Sequence, residues 1–196
     1  MKMEIKKGNV NSAEKIWIDR PQWGYTAYVP RVSVQLTYDD MGFYVKFTVE
    51  EKEPLAEKTE HFSNVHEDSC VEFFAKFDPE HSDKYINIEV NAIGTTKASI
   101  RTDRENSTYL SLADIEKLKV STQIAENCWT VSYQVPAEML ERLYPDFRMK
   151  DCKYIKANFY KCGNLTKIKH YVSLFDLGCP KPDFHRPEYF GRLELA

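Results

Sequence analysis

Glycine is scarce, at 7 of 196 residues. That scarcity excludes collagen-like, linker-like and glycine-patterned low-complexity architectures. No apolar run approaches 18 residues, so no membrane-spanning helix is expected. The N-terminal stretch Met1 to Lys7 is charged and has no apolar core of the kind a signal peptide carries. This favours a cytoplasmic location, with a periplasmic or secreted one as the other reading. Neither sign of charge dominates: 27 Lys and Arg stand against 30 Asp and Glu, for a net charge of −3. The basic residues are scattered, so neither a nucleic acid nor a membrane surface is an expected partner.

The cysteines, Cys70, Cys128, Cys152, Cys162 and Cys179, are odd in number and form no C-x-x-C pair. Free, reduced thiols are the expectation. The five histidines include no H-x-x-x-H pair, and no metal site is assigned. Neither G-x-S-x-G nor a phosphate-binding loop is present.

What the chain does hold is strand. Aromatic residues make up 13%, and aromatic and β-branched side chains suit a pleated surface. Val32 to Tyr38 meets the turn cluster Asp39-Asp40-Met41-Gly42, after which Phe43, Val45, Phe47 and Val49 alternate with Tyr44, Lys46 and Thr48. That pattern is a hairpin with one buried face. Residues 51–69 are charged and aperiodic, and form a long surface loop. Further strands are expected over Cys70 to Phe77, Tyr85 to Ala92, Thr95 to Arg101, Val120 to Ile124, Trp129 to Val135, Tyr154 to Tyr160, His170 to Ser173 and Glu188 to Leu195. Pro136 opens a short amphipathic helix, Ala137 to Leu143. Residues 176–187, with three prolines and a glycine, are loop. Nothing marks an internal boundary. The reading is one all-β domain over 1–196, an antiparallel β-sandwich (jelly-roll-like) with one or two short helices.

Side chains alternate faces along a strand. Over 85–92, Ile86, Ile88, Val90 and Ala92 point into the core, and Tyr85, Asn87, Glu89 and Asn91 point the other way. In the preceding strand Glu72 lies opposite the core face of Val71, Phe73 and Ala75. If the two strands pair, Glu72 joins the Asn87/Glu89/Asn91 row. Such a row offers donors and acceptors together, as sugar hydroxyls require. An ordinary solvated face with cross-strand polar pairs is the alternative.

Four segments in order resemble the family 9 carbohydrate-binding modules. They are Val65-His66-Glu67-Asp68-Ser69-Cys70-Val71-Glu72-Phe73-Phe74, Asn87 to Thr95, Asn158-Phe159-Tyr160-Lys161-Cys162, and Pro182 to Leu193. The resemblance spans roughly residues 16–195. It implies a β-sandwich that binds sugars without cutting them, often at the ends of polysaccharide chains such as xylan, and that accompanies a glycoside hydrolase. It also implies structural calcium, for which Glu67, Asp68 and Asp40 are the candidate loop carboxylates. Glu72 matches the family's strand glutamate and Asn91 its asparagine, while Glu89 falls where a basic residue would be expected. The family's sugar-clamping tryptophans are missing from their places: His66 stands at one, and Leu174-Phe175 lies near the other. Trp129 belongs to a core-like alternation, and Trp17 and Trp23 flank a proline.

The candidate ligand-binding residues are Glu72, Asn91, Glu89, Asn87, His66, Phe175 and Arg186. Glu72 and Asn91 are expected on an open face, in one shallow pocket with His66 and Phe175 as the nearest rings. His185-Arg186-Pro187-Glu188 is either a binding loop or a rigid crossover. Two other functions stay open: a glycosidase using Glu72 and Glu89 as paired carboxylates, and an interaction domain with a decayed sugar site.

Overall fold

A computed structural model describes residues 3–196. The strands are β1 (Met3–Ile5), β2 (Ile16–Ile18), β3 (Arg20–Pro21), β4 (Arg31–Asp39), β5 (Gly42–Glu50), β6 (Cys70–Lys76) and β7 (Tyr85–Asn91). They continue with β8 (Thr96–Arg101), β9 (Ser107–Tyr109), β10 (Ser121–Ile124), β11 (Trp129–Pro136), β12 (Tyr154–Gly163), β13 (His170–Ser173) and β14 (Gly191–Leu195). There are two short α-helices among the described residues, α1 (Leu112–Lys117), which packs against β11, and α2 (Ala137–Leu143), which packs against β11 and β5. None of the described helices is long and apolar enough to cross a membrane.

The smaller sheet runs β10-β11-β5-β4-β2 and the larger β1-β14-β12-β6-β7-β8-β9, with β13 and β3 extending from β12. Among the described residues, the one parallel pairing between strands joins β1 to β14; the other strand pairs are antiparallel. The β4–β5 hairpin turns as its sequence dictates. Asp39 Oδ1 accepts from the Met41 N–H at 2.8 Å. Gly42 takes φ 138° where any side chain would run into the Val135 carbonyl, so only glycine fits.

The alternation set by the sequence fills the space between the sheets. Phe43, Val45, Phe47 and Val49 meet Phe73, Ile86, Ile88, Val90 and Phe159 there, all buried. Phe73 and Phe159 are strand partners whose rings stack at 4.7 Å. Trp129 is fully buried at the edge of this core and donates to Glu51 Oε2 at 2.9 Å.

A second, smaller core lies on the far face of the large sheet. Phe74, Tyr85, Tyr160, Cys162 and Tyr171 rise from the strands, and Leu177, Cys179, Phe184 and Phe190 close over them from the 176–190 segment. The face opposite the sandwich core is therefore covered, which corrects the expectation of an open one. The last strand also starts later than expected: Pro187–Tyr189 is a 3-10 turn, and pairing begins at Gly191.

Candidate carbohydrate site

Strands β6, β7 and β8 bring one polar face together. Glu72 stands directly opposite Glu89. Glu89 in turn faces Lys97, Asn87 faces Ser99, and Tyr85 faces Arg101. The side chains on this face open into a cavity of about 280 Å³. Glu72, Glu89, Lys97 and Arg101 line it from the sheet. His66 and Asn164 line it from one rim, and Asp183, Phe184 and His185 from the covering segment.

The aromatic wall comes from Trp23, Tyr171 and Phe184. Trp23 packs at 5.3 Å from Tyr171 and 5.4 Å from Phe184, and its indole N–H donates to the Cys179 carbonyl at 2.9 Å. Phe184 stacks on Tyr160 at 4.1 Å. Trp23 adopts φ 54° and Gly24 φ 77°. A bulky residue in that region is strained, and such strain persists only where surrounding contacts fix it. Here those contacts set an indole at the cavity.

The two carboxylates are held in different states. Burial pushes Glu72 well above the ordinary carboxylate range, and its neighbours Cys162 and Glu89 push the same way. Burial acts on Glu89 too, but the neighbouring His66 ring and the Lys97 charge outweigh it and hold Glu89 below that range. Asn87 donates to Glu89 Oε1 at 2.8 Å, and His66 Nδ1 lies 3.8 Å from Oε2. Cross-strand carboxylates each disfavour the other's charge. Of the two, Glu72 is the one on which a proton is favoured, and it also accepts from the Cys162 thiol at 3.0 Å. A protonated Glu72 carries an O–H as well as an acceptor, where the sequence suggests an ionised carboxylate. Burial also holds His185 down, to about 4, with Arg101 and Arg104 acting in the same direction. Its Nδ1 lies 3.1 Å from the Tyr85 hydroxyl.

Of the residues singled out in the sequence, Glu72, Glu89 and His66 line the cavity. Asn87 lies beneath it, bonded to Glu89, Ser99 and Arg101. Asn91 is turned away: its amide donates to the Lys58 carbonyl and to Asp68 Oδ2, both at 2.9 Å, and its oxygen accepts from the Thr95 N–H. Phe175 packs its ring against Gly191, while Asn158 binds its backbone N–H and C=O. Arg186 pairs with Glu188 at 2.9 Å, outside the cavity lining. Within 185–188, then, His185 faces the cavity and the rest form the turn.

The sequence of this chain matches the profile of carbohydrate-binding family 9 over residues 5–195. The chain belongs to that family. Among solved structures it resembles a candidate carbohydrate-binding protein from Bacteroides uniformis, with a TM-score of 0.88, 24% identity, and coverage of 100% of this chain and 99% of the other. It also resembles a family 9 module from Caldicellulosiruptor kristjanssonii solved with cellotriose and with glucose. Both of those structures give a TM-score of 0.72 and 12% identity over 100% of this chain, and 93% and 96% of the others. No curated protein matches significantly.

The tryptophan that the fold places at the cavity is Trp23, which the sequence reading did not select. That residue arrives from the loop after β3, too far along the chain for spacing to reveal it. Lys97 and Arg101 were within reach of the sequence: Lys97, Ser99 and Arg101 alternate with Ala98 and Ile100, so they share a face.

The carboxylates proposed for calcium are not gathered. Glu67 pairs with Lys58 at 2.7 Å, Asp68 accepts from Lys58 N–H and Asn91, and Asp40 pairs with Lys7 in the β4–β5 turn. Among the described residues, the one group with metal-ligand spacing is Cys70, Glu72 and Cys162. Two thiols and one carboxylate do not suit calcium, which takes six to eight oxygens. All five cysteines are free thiols.

Proposed function

We propose that this module binds the terminal sugar of an oligosaccharide or polysaccharide chain in the Trp23–Glu72 cavity, without cutting it. The observation that carries this reading is the pairing of ring faces with a polar floor. Trp23 and Phe184 offer apolar faces suited to the C–H side of a pyranose, and Glu72, Glu89, Lys97 and Arg101 offer donors and acceptors suited to its hydroxyls. The cavity volume is near the lower end of ligand sites, about 300–1,000 Å³. That supports a chain end rather than a long stretch of chain. Family membership, and the cellotriose and glucose bound by the Caldicellulosiruptor kristjanssonii module, point the same way.

A role beside a glycoside hydrolase in breaking down xylan or a related glycan fits the family, and catalysis by this chain does not. Glu72 and Glu89 stand side by side on one sheet face, whereas a glycosidase needs its two carboxyl groups on either side of the scissile bond. We expect no hydrolysis of xylo-, cello- or manno-oligosaccharides. Product release that persists in wild type and vanishes in Glu72→Gln would reverse this assignment.

Calorimetric titration with mono- and oligosaccharides tests the site. Trp23→Ala is expected to weaken binding about tenfold, since a ring contact is worth about 0.5–1.5 kcal/mol beyond its buried area. Unchanged affinity in a folded variant would move the site elsewhere.

A further inference from the structure

Arg101 is anomalous. Its side chain is more than nine-tenths buried, yet it forms no ion pair among the described residues. Its Nε donates to Asn87 Oδ1 at 2.9 Å and Ser99 Oγ at 2.8 Å, and Nη1 donates to the Arg104 carbonyl at 2.8 Å. Asn87 and Ser99 are themselves buried and joined at 2.5 Å. Three bonds thus fix the guanidinium and leave Nη2 without a protein partner beside the cavity. Removing a cation from water without an opposing charge is costly. An Asn–Ser cradle holds a guanidinium in place but does not neutralise it.

The other charges around Arg101 do not meet the need. Asp183 is taken by Arg104 at 3.1 Å and approached by Arg186 at 3.9 Å. Glu89 lies two residues from Asn87 along β7 and is engaged by Asn87 and His66. Lys97, on the same face of β8 as Arg101, also lines the cavity and forms no ion pair among the described residues. Of the basic residues in the lining, Arg104 is paired with Asp183, which leaves Lys97 and Arg101. The cavity therefore presents a polar end at Glu72 and two cations without an ion pair among the described residues, with Arg101 as the fixed one.

We infer that the cavity selects an acidic sugar, a uronic acid whose carboxylate meets the open edge of Arg101 with Lys97 as the second cation. The inference rests on the proposed sugar site and adds its ligand class. A planar guanidinium matches a carboxylate, and charge-assisted bonds are the stronger kind. Because Arg101 is already ordered, little rotamer freedom is lost on binding.

Calorimetry on matched pairs decides the matter: glucose with glucuronic acid, galactose with galacturonic acid, and a xylo-oligosaccharide with and without a glucuronyl branch. Glucose 6-sulfate and glucose 6-phosphate serve as the other anions. At least one uronate is expected to bind about tenfold or more tightly than its neutral partner. That preference, read as the ratio of the two affinities within each protein, should shrink with added salt and fall to within about twofold in Arg101→Gln. Lys97→Gln, at a half-exposed position, should weaken the preference in the same direction, and it carries the test if Arg101→Gln fails to fold. Equal binding of neutral and acidic partners would overturn the uronate assignment while leaving the sugar site standing. Tighter binding of the sulfate or phosphate ester than of any uronate would overturn it in favour of that ester. Binding of none of these sugars would overturn both the assignment and the site beneath it.

Discussion

The Glu72–Glu89 pair shows how burial assigns two chemically similar residues different states. The group with the raised folded pKa, Glu72, contributes stability that is full below the ordinary carboxylate range and is lost as pH rises through its folded value. Glu89, held low, contributes stability above its ordinary value that is lost as pH falls. Gln copies a protonated carboxyl but not an ionised one. Glu72→Gln is therefore expected to unfold at the same urea midpoint as wild type near neutrality, and at a higher one in alkaline buffer. Glu89→Gln is expected to lose about 1–3 kcal/mol at neutral pH, because His66 and Asn87 lose a charged partner. Urea titrations of both variants across pH check this. Destabilisation of Glu72→Gln at neutral pH would mean that the proton resides elsewhere.

At the level of the element, Asn91 belongs to the architecture that holds the cavity rather than to its lining. It ties the end of β7 to Lys58 and Asp68, and so anchors the long 51–69 segment. Asn91→Ala should cost about 1–3 kcal/mol of stability and change sugar affinity less than about twofold. Denaturant and calorimetric titrations together separate the two effects. The main strands and the α2 helix were legible in the sequence because alternation and turn chemistry are local. Parity placed Glu72 and Glu89 on one face for the same reason. Parity does not say what lies above a face. Asn91 shares it with Glu89 yet meets the 51–69 segment, while Glu89 meets the cavity. The short edge strand β9 and helix α1 carried too few periodic residues to show. Trp23 and the roof of residues 176–190 depend on contacts across more than 150 positions, such as the Gln22 bond to Asp176 at 3.0 Å. No window along the chain contains both ends of such a contact.

The whole molecule carries an acid-sensitive interior. Lys161, fully buried, donates to the Cys162 carbonyl at 2.9 Å and lies 2.7 Å from His170 Nε2 and 3.4 Å from Glu51. His170 Nδ1 lies 2.8 Å from the Ile168 carbonyl, so the tautomer that fits is protonated on Nδ1 and accepts at Nε2. Burial and the Lys161 charge lower His170 to about 4, and His185 is lowered similarly. Both are neutral in the fold and take up protons first in the unfolded chain. Stability should therefore fall as pH drops from about 6.5 toward 4, with His170 alone accounting for up to about 3 kcal/mol. Thermal unfolding across that range, in wild type and His170→Gln, tests it; equal slopes in the two proteins would sink the assignment. The second core has a consequence for how the site behaves over time. It lies outside the space between the sheets, so the 176–190 segment can detach while the sandwich stays folded, as a separate unit of opening. A sugar held between Trp23, Phe184 and Glu72 would fasten that unit shut. At a hundred times its dissociation constant it would slow amide exchange there by about 2.7 kcal/mol, leaving β4 and β5 exchanging as before.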